Sequence, residues 1–139
     1  MLLLVSFLLS FNAQVAGWEL FADTRFKWEY DERIGMEVQI PKFSEKIRAL
    51  EGTKVSLSGH YLPLQMEGNR IIISKLPYAS CFFCGGGAGP ESVAEVFFAG
   101  DMPRLKPDQI VQVKGKLKLN TYDLEHMVFI LTDATVIKK

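Results

Sequence analysis

Apolar and polar positions alternate with a period of two along most of the chain. Phe26, Trp28 and Tyr30 alternate with Lys27 and Glu29, and Met36, Val38 and Ile40 alternate with Glu37 and Gln39. That pattern fits extended backbone, whose side chains point to opposite faces in turn. After Pro41 the period changes. Phe43, Ile47 and Leu50 recur at helical spacing and Glu51-Gly52 ends the run, which predicts one short helix. From Thr53 onward the pattern returns to β. Val55, Leu57, Gly59 and Tyr61 share one face, Ser56, Ser58 and His60 the other, and Pro63 closes the strand. Glu67-Gly68-Asn69 turns into Ile71-Ile72-Ile73, and Val93 to Phe98 make a third apolar run. Val111, Val113, Leu117 and Leu119 alternate with Gln112, Lys114, Lys116 and Lys118, and a fifth run covers Met127 to Leu131 and resumes at Thr135-Val136-Ile137.

These elements predict a mainly β chain: a small OB-fold-like five-stranded barrel with one short helix and an extended aromatic N-terminal segment over residues 18–40. A β-sandwich is the competing architecture. Gly59 and Gly115 favour the barrel, because both sit inside long strands that must coil to close it. No linker, repeat or low-complexity stretch divides residues 18–139, so they are read as one domain.

The beginning of the chain departs from the alternation. Residues 1–18 carry no Asp, Glu, Lys or Arg and open on an unbroken apolar run from Leu2 to Val5, continued by Phe7 to Leu9. The run is too short for a membrane-spanning helix. With the small and polar residues from Asn12 to Gly17 behind it, it reads as a signal peptide over residues 1–17, cut after Ala13 or after Gly17. The expected address is the periplasm or the outside of the cell, with no integral membrane segment in the mature chain.

Composition narrows the function. The 139 residues carry 16 basic and 16 acidic side chains. A net charge of zero lacks the basic excess of a nucleic-acid binder, and the lysines at 114, 116 and 118 read as a solvated strand face. No nucleic acid is expected as a partner. The glycine run after Cys84 lacks the Lys-Ser/Thr ending of a phosphate-binding loop, and no serine sits in a Gly-x-Ser-x-Gly turn. The chain is therefore not expected to be an enzyme.

One stretch carries chemistry, Pro77 to Ser92, which holds both cysteines of the protein, Cys81 and Cys84, ahead of a glycine-rich loop. Two intervening residues bring the sulfurs close enough to grip one metal ion or to close a disulfide. Three readings follow. In the first, Cys81 and Cys84 bind zinc or copper with His60 as third ligand and His126 or Glu91 as additional ones. In the second, the pair cycles between dithiol and disulfide in an oxidising compartment. In the third, a permanent disulfide stiffens the loop, and the aromatic N-terminal segment docks an envelope transporter or other envelope protein. Metal binding or delivery is the leading expectation. Glu91 and Glu95 are otherwise read as surface charges.

The segment from Phe43 through Leu50-Glu51-Gly52-Thr53-Lys54-Val55 to Gly59-His60-Tyr61-Leu62-Pro63-Leu64, followed by Leu76-Pro77-Tyr78 and then Cys81, resembles a family of exported bacterial proteins catalogued as a domain of unknown function. In that family the cysteine is followed by a histidine and prolines; here Phe82-Phe83-Cys84 and glycines stand in their place. The resemblance implies an envelope location and no established activity. The second cysteine replacing a histidine would keep a metal-binding pair, and a disulfide explains it equally.

Overall fold

The computed structural model describes residues 14–15, 17–81 and 88–139. The signal-peptide reading falls largely on residues outside that set, and so does Cys84. Among the described residues, eight strands and two short α-helices follow one another: β1 (Gln14–Val15), α1 (Trp18–Ala22), β2 (Arg25–Asp31), β3 (Met36–Lys42), α2 (Glu45–Leu50), β4 (Lys54–Leu62), β5 (Arg70–Ser74), β6 (Val93–Phe98), β7 (Ile110–Leu119) and β8 (Phe129–Lys138). Among the described residues, no helix is long and apolar enough to cross a membrane.

Strands β4, β5, β6, β8 and β7 are hydrogen-bonded in that order, and β7 returns to pair with β4, closing a five-stranded barrel. All of its pairings are antiparallel except β6 with β8. β1 adds a short parallel pairing to β4. This is the OB-like barrel that the alternation predicts.

Both interior glycines sit where the barrel bends. β4 pairs with β7 over residues 54–60 and with β5 over residues 60–62, so Gly59 lies at the change of partner. A Cβ there would stand 2.8 Å from the Ser74 carbonyl oxygen. At Gly115 the β7–β8 register shifts between Lys114 and Lys116, and a Cβ would stand 2.8 Å from the Thr132 carbonyl oxygen. Only a residue without a side chain lets the neighbouring strand come that close.

The core inside the barrel is built from inward positions of every strand, among them Val55, Leu57, Ile71, Ile73, Val96, Val113, Leu117 and Leu131. Phe21 of α1 stacks on Phe129 with ring centroids 3.9 Å apart, and Phe43 meets Phe129 edge-on. α2 begins at Ser44, whose Oγ accepts from the Ile47 amide, and it buries Ile47 and Leu50. α1 is the element the alternation did not predict, since residues 18–40 read as extended throughout. Five residues are too few to form a helix by propensity. Tertiary contacts hold it: Phe21 is fully buried, and the Trp18 indole N–H donates to the Ser58 carbonyl oxygen at 2.8 Å.

β2 and β3 form a separate two-stranded hairpin, paired from Arg25 with Lys42 to Asp31 with Met36. Gly35 closes its turn with φ +70°. At the tip, Asp31 accepts from the Arg33 amide, Nε and Nη2.

Candidate functional site

The loop between β5 and β6 begins as a short 3-10 turn at Tyr78–Ser80 and delivers Cys81 to the outer surface of the barrel. There Cys81 is fully buried in a second apolar cluster with Leu62, Ile72 and Val93, flanked by Leu64, Met66 and Met127. Cys81 is not a free thiol. How its sulfur relates to that of Cys84 lies outside the described residues.

The other three predicted ligands go to different places. His60 is on β4, half-exposed, with ring Nδ1 3.1 Å from the backbone oxygen of Asp108. The Asp108 side chain also accepts from the Tyr78 amide at 2.6 Å, so Asp108 ties the start of the cysteine loop to the neighbourhood of His60. Glu91 is half-buried in the 3-10 turn Pro90–Ser92 that leads into β6. His126 stands in the β7–β8 connection beside Glu95. Among the described residues, no group of three or more His, Cys, Asp or Glu side chains is placed to hold a metal ion.

Glu95 corrects the sequence reading most sharply. It is fully buried, not a surface charge. Arg70 Nη1 donates to its Oε1 at 2.5 Å, the Met127 amide donates to Oε2 at 3.0 Å, and His126 Nδ1 lies 3.1 Å from Oε1. Arg70 is an obligate donor and lies 3.3 Å from the same His126 nitrogen. A proton on His126 Nδ1, donated to Glu95, is the tautomer in which both cationic or N–H groups converge on the carboxylate. Its Nε2 lies 4.0 Å from Asp123 Oδ2. Arg70 also lies over the Phe97 ring. Among the described residues, no buried side-chain polar atom of this cluster lacks a partner, and the cluster pins the β7–β8 connection to β5 and β6. The signal for it was a single acid inside the apolar run Val93-Ala94-Glu95-Val96-Phe97-Phe98.

The pinned connection faces the hairpin, and the two together line three adjoining clefts. One, of about 310 Å³, runs between Trp28, Gln39 and Pro41 on one side and Asn120, Leu124 and His126 on the other. A second, of about 480 Å³, lies between Arg33 and Ile34 at the hairpin tip and Tyr122 to Glu125. The third brings Tyr30 to Tyr122. Large apolar side chains on both walls face solvent: Trp28 is 61% exposed, Tyr30 64% and Tyr122 62%, with Ile34 and Leu124 also exposed. Salt-linked Asp31 and Arg33 border them. The Arg33 side chain, by hydrogen bonding, holds the Asp31 carboxyl below its ordinary value. The aromatic alternation of β2 is legible in the sequence, whereas Tyr122 and Leu124 belong to no periodic pattern.

No protein-family model and no curated protein matches the chain. Its structure is similar to that of a DUF3299 family protein from Pseudomonas aeruginosa PAO1, with a TM-score of 0.56 across 92% of this chain and 98% of that one at 12% identity. The likeness is one of fold.

Proposed function

We propose that the protein is a docking module of the bacterial envelope, which engages another envelope protein through the hairpin and the β7–β8 connection and carries out no chemistry of its own. One observation carries the reading: the exposed Trp28, Tyr30, Ile34, Tyr122 and Leu124 gather along adjoining clefts instead of being scattered. Grouped apolar side chains rimmed by charge are the composition of protein interfaces, where Trp and Tyr supply most of the binding energy. The β7–β8 connection is also one of the loops that OB barrels use for recognition. Cys81 and Cys84 close as a disulfide in this reading. The burial of Cys81 among aliphatic side chains supports a staple over an open metal site.

A photo-reactive residue placed at Tyr30, Tyr122 or Ile110 in living cells tests the proposal. Ile110 is also more than half exposed but stands apart from the clefts around the hairpin, beside Ser58, Gln112 and Lys138. Capture of one and the same envelope protein from Tyr30 and Tyr122 but not from Ile110 is the expected result. Equal capture from all three positions, or none from any, refutes it. Stoichiometric zinc or copper in the purified protein, lost in Cys81→Ser, would return the cysteine loop to metal binding.

A further inference from the structure

The hairpin has a free edge, and it belongs to β2. β3 supplies the buried residues Ile40 and Pro41, whose partners across the ladder are exposed Lys27 and half-buried Phe26. β3 therefore lies against the domain and β2 is the outer strand. The Asp31 carbonyl oxygen accepts from the Gly35 amide, on the β3 side. Backbone groups of an antiparallel strand alternate in direction, so the N–H and C=O of Phe26, Trp28 and Tyr30 point away from β3. Among the described residues β2 pairs with β3 alone, and no other backbone hydrogen bond reaches these three positions.

Charges on an edge strand ordinarily keep it from pairing. On β2 their order reads the opposite way. The strand is Arg25-Phe26-Lys27-Trp28-Glu29-Tyr30-Asp31, which is charge-complementary to itself when reversed about Trp28. We propose that β2 pairs antiparallel with β2 of a second copy of this chain, about a two-fold axis through Trp28, joining the two hairpins into one continuous sheet. In that register Arg25 stands opposite Asp31, Lys27 opposite Glu29 and Phe26 opposite Tyr30 of the second copy. Each outward-facing backbone group of residues 26, 28 and 30 then finds a partner, and the charged pairs fall at the positions between them, where antiparallel side chains come closest. Sliding one copy to the next register that preserves the hydrogen bonding places Lys27 against Lys27 or Glu29 against Glu29. The charges thus select one register. The interface is isologous and closes at two chains. It uses the edge of the hairpin, whereas the docking proposed above uses its faces and the β7–β8 connection, so either can fail without the other.

Sedimentation equilibrium on the protein and on charge-reversed forms tests this. The unmodified protein is expected to dimerise reversibly. Lys27→Glu places like charges opposite Glu29 twice per dimer and should weaken association by about tenfold or more. It leaves the Lys42–Glu29 and Arg33–Asp31 pairs within the chain untouched. Glu29→Lys should weaken the dimer similarly, and Lys27→Glu with Glu29→Lys should restore it, although that double variant still lacks the Lys42–Glu29 pair. Amide hydrogen exchange gives a readout without substitution: protection at Phe26, Trp28 and Tyr30 should rise with protein concentration, while that at Lys27 and Glu29 should not change. A monomer at all concentrations, a dimer indifferent to both reversals, or no recovery in the double variant overturns the proposal. So does fast exchange at the three amides irrespective of concentration.

Discussion

The barrel interior and the hairpin are both rich in aromatic side chains and treat them in opposite ways. Phe21 and Phe129 are fully buried and stacked face to face where α1 meets β8. Trp28 and Tyr30 sit on a regular strand with the same alternation and remain more than half exposed. Period-two patterning reports that one face of a strand is apolar. It does not report whether the protein itself covers that face. In the barrel, closure brings the inward side chains against the other strands; in the hairpin the domain covers Ile40 and Pro41 of β3 but leaves Trp28 and Tyr30 open, and a two-stranded sheet has little stability of its own.

Truncation should separate the two regions cleanly. Phe129→Ala removes a ring packed against Phe21 and Phe43 and should lower the unfolding free energy by about 4 kcal/mol in urea titration. Tyr30→Ser should change it by no more than about 0.5 kcal/mol. Comparable losses at the two positions would mean that the hairpin face is part of the fold, and the case for it as a docking surface would fall.

The same contrast explains what could be read in advance. The five barrel strands, the coiling glycines Gly59 and Gly115 and the helix at Ile47 and Leu50 all follow from local spacing, because each must present a continuous face to one core. α1 escaped, since its five residues are helical only because Phe21 is claimed by Phe129, more than a hundred positions later. The Glu95 cluster escaped for a related reason. A lone acid in an apolar strand was visible, but its partners Arg70 and His126 come from other elements, and no spacing rule connects them. Of the candidate ligands, His60 and His126 lie on β4 and the β7–β8 connection respectively, each already bound to another group.

The Glu95 cluster makes the next largest effect. Arg70→Met leaves the Glu95 carboxylate buried without its cation, a change that costs about 3 kcal/mol or more. Arg70→Met combined with Glu95→Leu removes both charges and should recover most of that loss. Recovery in the double variant would identify the cluster as a support whose purpose is position: without it Met127 and His126 lose their anchor, and Tyr122 and Leu124 their fixed place opposite the hairpin. Photo-capture from Tyr122 should then fall even where stability has returned. Capture unchanged in the double variant would show that the connection keeps its shape by other means, of which the Asn120 side chain, donating to the carbonyl oxygens of Asp123, His126 and Met127, is the nearest.

The smallest effect lies at the hairpin tip, which holds its shape without any core. Arg33 donates to both carboxyl oxygens of Asp31, and that hydrogen bonding is the main reason the Asp31 carboxyl ionises more readily than usual. A carboxyl whose folded value is depressed adds stability that is present above its unfolded value and disappears as pH falls through the folded one. Arg33 is shifted upward by the same pair but stays protonated across the whole range, so it contributes no pH dependence. Because the Arg33 side chain is largely solvent-exposed, the melting temperature should hardly register the pair. The carboxyl carbon of Asp31 followed by NMR should register it clearly: its midpoint in the unmodified protein should lie below the ordinary carboxyl value and move upward in Arg33→Gln. A midpoint indifferent to that substitution would mean that Arg33 does not hold the tip in solution, and the fixed end of β2 would then depend on the ladder to β3 alone.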